Sequence, residues 1–190
     1  VQTCALPISL SYAQQRIWFL DQLEPGNPQY NIPTAVTLTG FLDPEILERS
    51  LNLVVDRHET LRTTFAEHEG KPFKKIHSHV FIKIRHRDFS DRDTESREKA
   101  AHRLANDLAN TPFNLSTGPL IRVQLIRFSD RKNVLVIVMH HIISDGWSVN
   151  ILIREMSKAY SDLLAHRPVS LPPLPVQYCD YSAWQRNWLK

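Results

Sequence analysis

The chain has 190 residues, a formal charge of +3, and 42% hydrophobic against 23% charged residues, the proportions of a globular domain with a core of its own. Its longest unbroken apolar run, Val134 to Met139, falls far short of the ~20 residues that cross a bilayer, so no membrane partner is expected. Basic residues are spread along the chain, with no tight run longer than those at Arg85-His86-Arg87 and Arg131-Lys132, which argues against a nucleic-acid partner, and the two cysteines, Cys4 and Cys179, have neither zinc spacing nor a disulfide pattern and fit a cytoplasmic location.

Val1 to Pro7 lacks an initiator Met and a signal pattern. It is left unassigned, as sequence that could be foreign to a longer parent. Ser9 to Leu23 places Ala13, Ile17 and Leu20 at helical spacing, and Glu24-Pro25-Gly26-Asn27-Pro28 stops the helix. Ile32 to Thr39 alternates as a strand. Asp43-Pro44 then opens a second helix, an acceptor side chain followed by a residue with no amide to satisfy. Ile46, Leu47, Leu51, Val54 and Val55 line its apolar face.

Leu61 to Phe65 is β-rich, and Lys71 to His77 and Val80 to Arg87 are expected to pair antiparallel with each other. Asp91 to Asn110 reads as a charged helix closed by Pro112. Leu120 to Phe128 and Val134 to His141 read as strands joined by Ser129 to Asn133. The second is apolar on both faces, which belongs in the middle of a covered sheet. Ser148 to Ala165 is amphipathic, Pro168 to Pro175 carries four prolines and reads as an extended crossing, and Tyr178 to Leu189 returns to helical spacing. The expected fold class is α/β, a mixed sheet covered by helices.

Chemistry concentrates in Met139 to Ser148, MHHIISDGWS, where the buried strand gives way to a helix. Side chains alternate along a strand, so His140 and His141 should point in opposite directions and not share one metal ion. An imidazole is suited to proton transfer near neutral pH, so one ring can act as a base while the other is held structurally. Asp145-Gly146 reads as a tight turn whose glycine lets the backbone approach a ligand. Two satisfied histidines beside a turn is the plainer alternative for this stretch on its own.

The wider sequence favours the chemical reading. SYAQQRIWFL (Ser11 to Leu20), RHETLRTTF (Arg57 to Phe65), MHHIISDGWS and YCDYSAWQ (Tyr178 to Gln185) resemble, in order, the SxAQxR, second, HHxxxDG and YxDYxxWQ motifs of nonribosomal peptide synthetase condensation domains. The form that joins two L-residues is the most similar. Ser182 and Ala183 vary mildly within the fourth motif, and the family's domain extends well beyond this length.

The resemblance implies the N-terminal half of such a domain, a chloramphenicol acetyltransferase-like lobe over residues 8–167. Residues 168–190 would form the crossing and the helix at the junction with a C-terminal lobe lying outside this chain. It implies amide-bond formation between thioesters brought by donor and acceptor peptidyl carrier domains on phosphopantetheine arms, beside an adenylation domain, with no cofactor or metal bound directly. His141 carries over as the catalytic residue. His140, Asp145, Arg62 and Gly146 carry over as site-structuring, with Asp145 and Arg62 paired in a salt bridge; an Asp145 that simply caps the following helix is the plainer alternative. Trp184 and Trp147 are candidate channel-lining residues. The half alone is expected to be inactive. A carrier-recruiting module without catalysis and a free-standing CoA-dependent acyltransferase are the alternatives.

Overall fold

The computed structural model describes residues 8–189; Val1 to Pro7, including Cys4, lie outside them. Among the described residues, seven strands and five α-helices follow one another as β1 (Ile8–Ser9), α1 (Tyr12–Leu23), β2 (Asn31–Thr39), α2 (Pro44–Arg57), β3 (Thr63–His68), β4 (Lys71–Ile76), β5 (Ile84–Asp88), α3 (Thr94–Asn110), β6 (Ile121–Ser129), β7 (Lys132–His140), α4 (Gly146–Leu164) and α5 (Tyr178–Trp188). They build a three-stranded sheet in the order β1-β4-β3 and a four-stranded sheet in the order β2-β7-β6-β5. The α/β architecture expected from sequence is present, divided between two sheets.

Local chemistry sets the helix starts. Ser11 and Gln14 form a reciprocal capping box at α1. Asp43 Oδ1 accepts from the amides of Glu45 at 2.9 Å and Ile46 at 3.0 Å at α2, and Asp93 accepts from Ser96 at α3. Pro33 is accommodated in β2 because that strand lies at the sheet edge.

In β7, Leu135 to His140 are all buried, so both faces of the central strand are covered. Val54 of α2, Met139 of β7 and Leu152 of α4 line one cleft of about 90 Å³, which places the α2–α4 pair over the Met139 face. Arg122 of β6 is in register with Val138, one residue out of phase with Met139, and reaches the carbonyl of Thr111 just beyond α3 at 2.7 Å. That puts α3 over the other face, against β2, β6 and β7.

The expected pairing of Lys71–His77 with Val80–Arg87 is not what forms. β4 pairs with β3 through a two-residue turn, Glu69-Gly70, with φ of 51° and 75°. Positive φ at both central residues is the hairpin turn that matches strand twist. β5 instead joins the other sheet, parallel to β6. The segment between β4 and β5 crosses between sheets, and Arg62 grips it by the carbonyls of His77 and Ser78.

The proline-rich stretch carries no regular structure. Beyond it α5 returns to the lobe: Tyr178 Oη lies 3.0 Å from Ser11 Oγ, Lys74 Nζ donates to Ser182 Oγ at 2.8 Å, and Arg186 Nε donates to the Leu10 carbonyl at 2.9 Å. Among the described residues no helix is long and apolar enough to cross a membrane.

Candidate active site

β7 ends at His140, in the interior of the four-stranded sheet, and the two histidines that finish it face different surroundings. His140 is 2% exposed. Its ring packs against Tyr30 and edge-on to Phe113, with centroids at 6.2 and 6.1 Å. Burial, then the neighbouring His141, pushes its pKa down to about 4, so the ring is neutral at physiological pH. Its Nδ1 accepts the amide of Ile142 at 3.2 Å, which leaves the ring proton on Nε2.

His141 is exposed. Its amide donates to the Tyr30 carbonyl at 2.7 Å, and its Nδ1 lies 2.7 Å from the Ser144 carbonyl. A carbonyl only accepts, so Nδ1 carries the proton and Nε2 keeps its lone pair. The two rings therefore hold opposite tautomers, and only that of His141 presents a basic nitrogen from an exposed side chain. The opposed orientation expected from strand alternation is what the structure shows.

Asp145 and Arg62 require a correction. They do not form the expected ion pair. Arg62 spends its guanidinium on backbone carbonyls, those of Val55 at 3.2 Å, Asp56 at 3.1 Å, Ser78 at 3.4 Å and His77. Asp145 is the N-cap of α4, accepting from the Ser148 amide at 2.8 Å and its hydroxyl at 2.6 Å. Those bonds hold its carboxyl below the usual carboxylate range, with His141 a smaller contributor. The α4 capping geometry consumes the carboxylate that a salt bridge would need.

Gly146 is also not a conformational necessity. It is the first residue of α4, outside the left-handed region, with open space where a Cβ would sit. Trp147 is 78% exposed immediately after it. Trp184 is 55% exposed and stacks on Trp188 at 5.5 Å and 11°. Both tryptophans are open to solvent, and neither lines the space of about 90 Å³ beside Ser144. Two other hollows, of about 490 and 440 Å³, share Pro112, Phe113 and Asn114 and are not lined by His141.

The family model described as Condensation domain matches residues 7–190. The chain belongs to the condensation-domain family. It is 47% identical over 182 residues to one of the linear gramicidin synthase proteins of Brevibacillus parabrevis, covering 96% of this chain and 4% of that protein. It is 40% identical over 184 residues to malpibaldin synthetase of Mortierella alpina, covering 96% and 3%. Among solved structures, the first condensation domain of the calcium-dependent antibiotic synthetase, in complex with a substrate analogue, superposes with a TM-score of 0.89 at 25% identity, over 97% of this chain and 44% of that one. The starter condensation domain of rhizomide synthetase superposes at 0.88 and 23% identity, over 97% and 44%. The chain thus spans less than half of these solved condensation-domain chains and a few per cent of the curated synthetases.

Sequence reasoning singled out His140, His141, Asp145, Gly146 and Trp147 at the histidine turn by type and motif, yet passed over Gln14, Thr60, Ser144 and Tyr178. All four lie inside quoted motifs, so the signal was present. What those side chains touch was not.

Proposed function

We propose that this condensation-domain chain supplies the histidine-bearing half of a catalyst that joins two carrier-bound thioesters through an amide bond. The observation that carries the reading is His141: exposed at the end of a buried central strand, with Nδ1–H tied to Ser144 and Nε2 free to accept a proton. In the proposed step the acceptor's amine nitrogen attacks the donor's thioester carbonyl. His141 Nε2 takes a proton from that nitrogen as the C–N bond forms. The C–S bond then breaks, the protonated His141 returns its proton to the departing sulfur so that the donor arm leaves as a thiol, and the peptide stays on the acceptor.

A positioned general base contributes about 10²–10⁴-fold, equivalent to roughly 3–5.5 kcal/mol of barrier. Holding two tethered substrates in line contributes at least as much, and that task falls to both halves of a domain. The partners in this reading are donor and acceptor peptidyl carrier domains with phosphopantetheine arms, an adjacent adenylation domain, and the remaining portion of the condensation domain, in the cytoplasm.

The test uses a complete condensation domain that carries this chain as its first half. It is given an aminoacyl-loaded donor carrier and an aminoacyl-loaded acceptor carrier, and in parallel an acyl-CoA with a free amine. Dipeptidyl thioester on the acceptor carrier, with no turnover of the CoA thioester, is the expected result. Efficient turnover of acyl-CoA without carriers would instead make the protein a free-standing acyltransferase.

A further inference from the structure

The turn that carries His141 is fixed from outside by residues of two other motifs. Of the carbonyls from Ile142 to Asp145, each has one donor. Gln14 Nε2 donates to Ile142 at 3.2 Å, Thr60 Oγ1 to Ile143 at 3.2 Å, His141 Nδ1 to Ser144 at 2.7 Å, and the Val149 amide to Asp145 at 3.1 Å. The last two are local to the turn and its helix. The first two come from α1 and from the 3₁₀ turn Glu59–Arg62, more than 80 residues away in sequence.

Both donors are themselves held. Gln14 is 3% exposed; its Oε1 accepts the Ser11 backbone amide and its backbone amide donates to Ser11 Oγ, both at 3.2 Å. Ser11 Oγ in turn lies 3.0 Å from Tyr178 Oη on α5. Thr60 sits in a 3₁₀ turn closed by Leu61 N to His58 O at 3.0 Å and Thr63 Oγ1 to Glu59 O at 2.7 Å. A buried side-chain amide aimed at one carbonyl and a hydroxyl aimed at the next fix the peptide planes on either side of Ile143. Those planes set where the Ser144 carbonyl points, and that carbonyl decides which nitrogen of His141 keeps the proton.

We propose that Gln14 and Thr60 are positioning residues for His141, holding the Ile142–Ser144 backbone so that the Nδ1–H tautomer and the outward Nε2 are formed before substrate arrives. The inference rests on the catalytic reading of His141. A misplacement of about 1 Å in a reacting group costs on the order of 10²-fold in rate. Loss of either donor is therefore expected to lower the rate by roughly 10- to 100-fold with little change in KM for the acceptor.

The experiment has two readouts. In this chain, nitrogen-15 histidine NMR reports the His141 tautomer. In the complete domain, single-turnover transfer reports the rate. Thr60→Val, which removes the hydroxyl at nearly constant shape, and Gln14→Met are compared with Thr60→Ser, which keeps the donor. Melting temperature is followed throughout.

The expected result is a His141 tautomer that becomes mixed in Thr60→Val and Gln14→Met, a slower transfer, and recovery of both in Thr60→Ser. On a His141→Ala background the same substitutions should cost nothing more. A native tautomer with full rate in Thr60→Val would overturn the proposal, as would an equal fractional loss on the His141→Ala background. If His141→Ala itself keeps full activity, the catalytic reading fails, while the tautomer readout still decides whether Gln14 and Thr60 position the ring. Should Gln14→Met unfold, the Thr60→Val and Thr60→Ser pair decides alone.

Discussion

Replacing His140 by glutamine and comparing the acid stability of the two chains isolates the buried histidine. In the folded chain burial lowers its pKa from 6.5 to about 4, so the unfolded chain binds more protons between those values. Stability from this group is fully present above pH 6.5 and is lost as pH falls toward 4. At about 1.36 kcal/mol per pKa unit, the loss between pH 7 and pH 5 is about 2 kcal/mol. A domain of this size changes its melting temperature by ~2–4 °C per kcal/mol, so the wild-type chain should lose roughly 4–8 °C more than the variant over that interval. Carboxylates that titrate in the same range are common to both chains and cancel in the difference. Glutamine can still accept the Ile142 amide, which limits any change to the turn itself. Thermal and urea unfolding at pH 7, 6 and 5 make the comparison. Parallel curves for the two chains would refute the claim that His140 is held neutral in the interior.

Asp145→Ala should cost about 1 kcal/mol through loss of the α4 cap, and Asp145→Asn much less. The double variant Arg62→Ala/Asp145→Ala should be additive in thermal unfolding, since the two side chains spend their bonds elsewhere; coupling above about 0.5 kcal/mol would restore the salt bridge. Burial and the adjacent Glu59 raise the Cys179 thiol to about 11, so iodoacetamide at pH 8 should modify it on the order of 100-fold more slowly than a free thiol, read by mass spectrometry of its peptide. The 190-residue chain alone should form no dipeptidyl thioester from loaded carriers, because it spans only 44% of the solved condensation-domain chain it superposes on; His141-dependent product would show that the remaining portion is dispensable.

Sequence patterns placed each α-helix of the described residues to within a few residues, because capping side chains and prolines are local signals that survive in the fold. Asp43-Pro44 begins α2 as read, while α4 starts at Gly146, two residues before Ser148, since Asp145 takes the cap. The double-sided apolar run of β7 correctly implied a central strand, and the alternation at its end separated His140 from His141. Strand partners were less legible. Two neighbouring β-rich stretches suggested a hairpin, but Glu69-Gly70 turns the chain one strand earlier, and the link gripped by Arg62 sends β5 to the other sheet. The motif spacings named the residues around the site without revealing their bonds. Asp145 and Arg62 share the site's sequence pattern, yet one serves a helix end and the other a crossover.

The most direct measurement is His141→Ala in a complete condensation domain built on this chain, with dipeptidyl thioester followed in single turnover and melting temperature recorded alongside. His141 is exposed, so its removal leaves no sealed cavity of the kind that costs about 2–5 kcal/mol. The rate should fall by about 10²–10⁴-fold while the melting temperature stays near that of the wild type. A variant that transfers the peptide at the wild-type rate would contradict the account and return His141 to a residue that merely follows a strand.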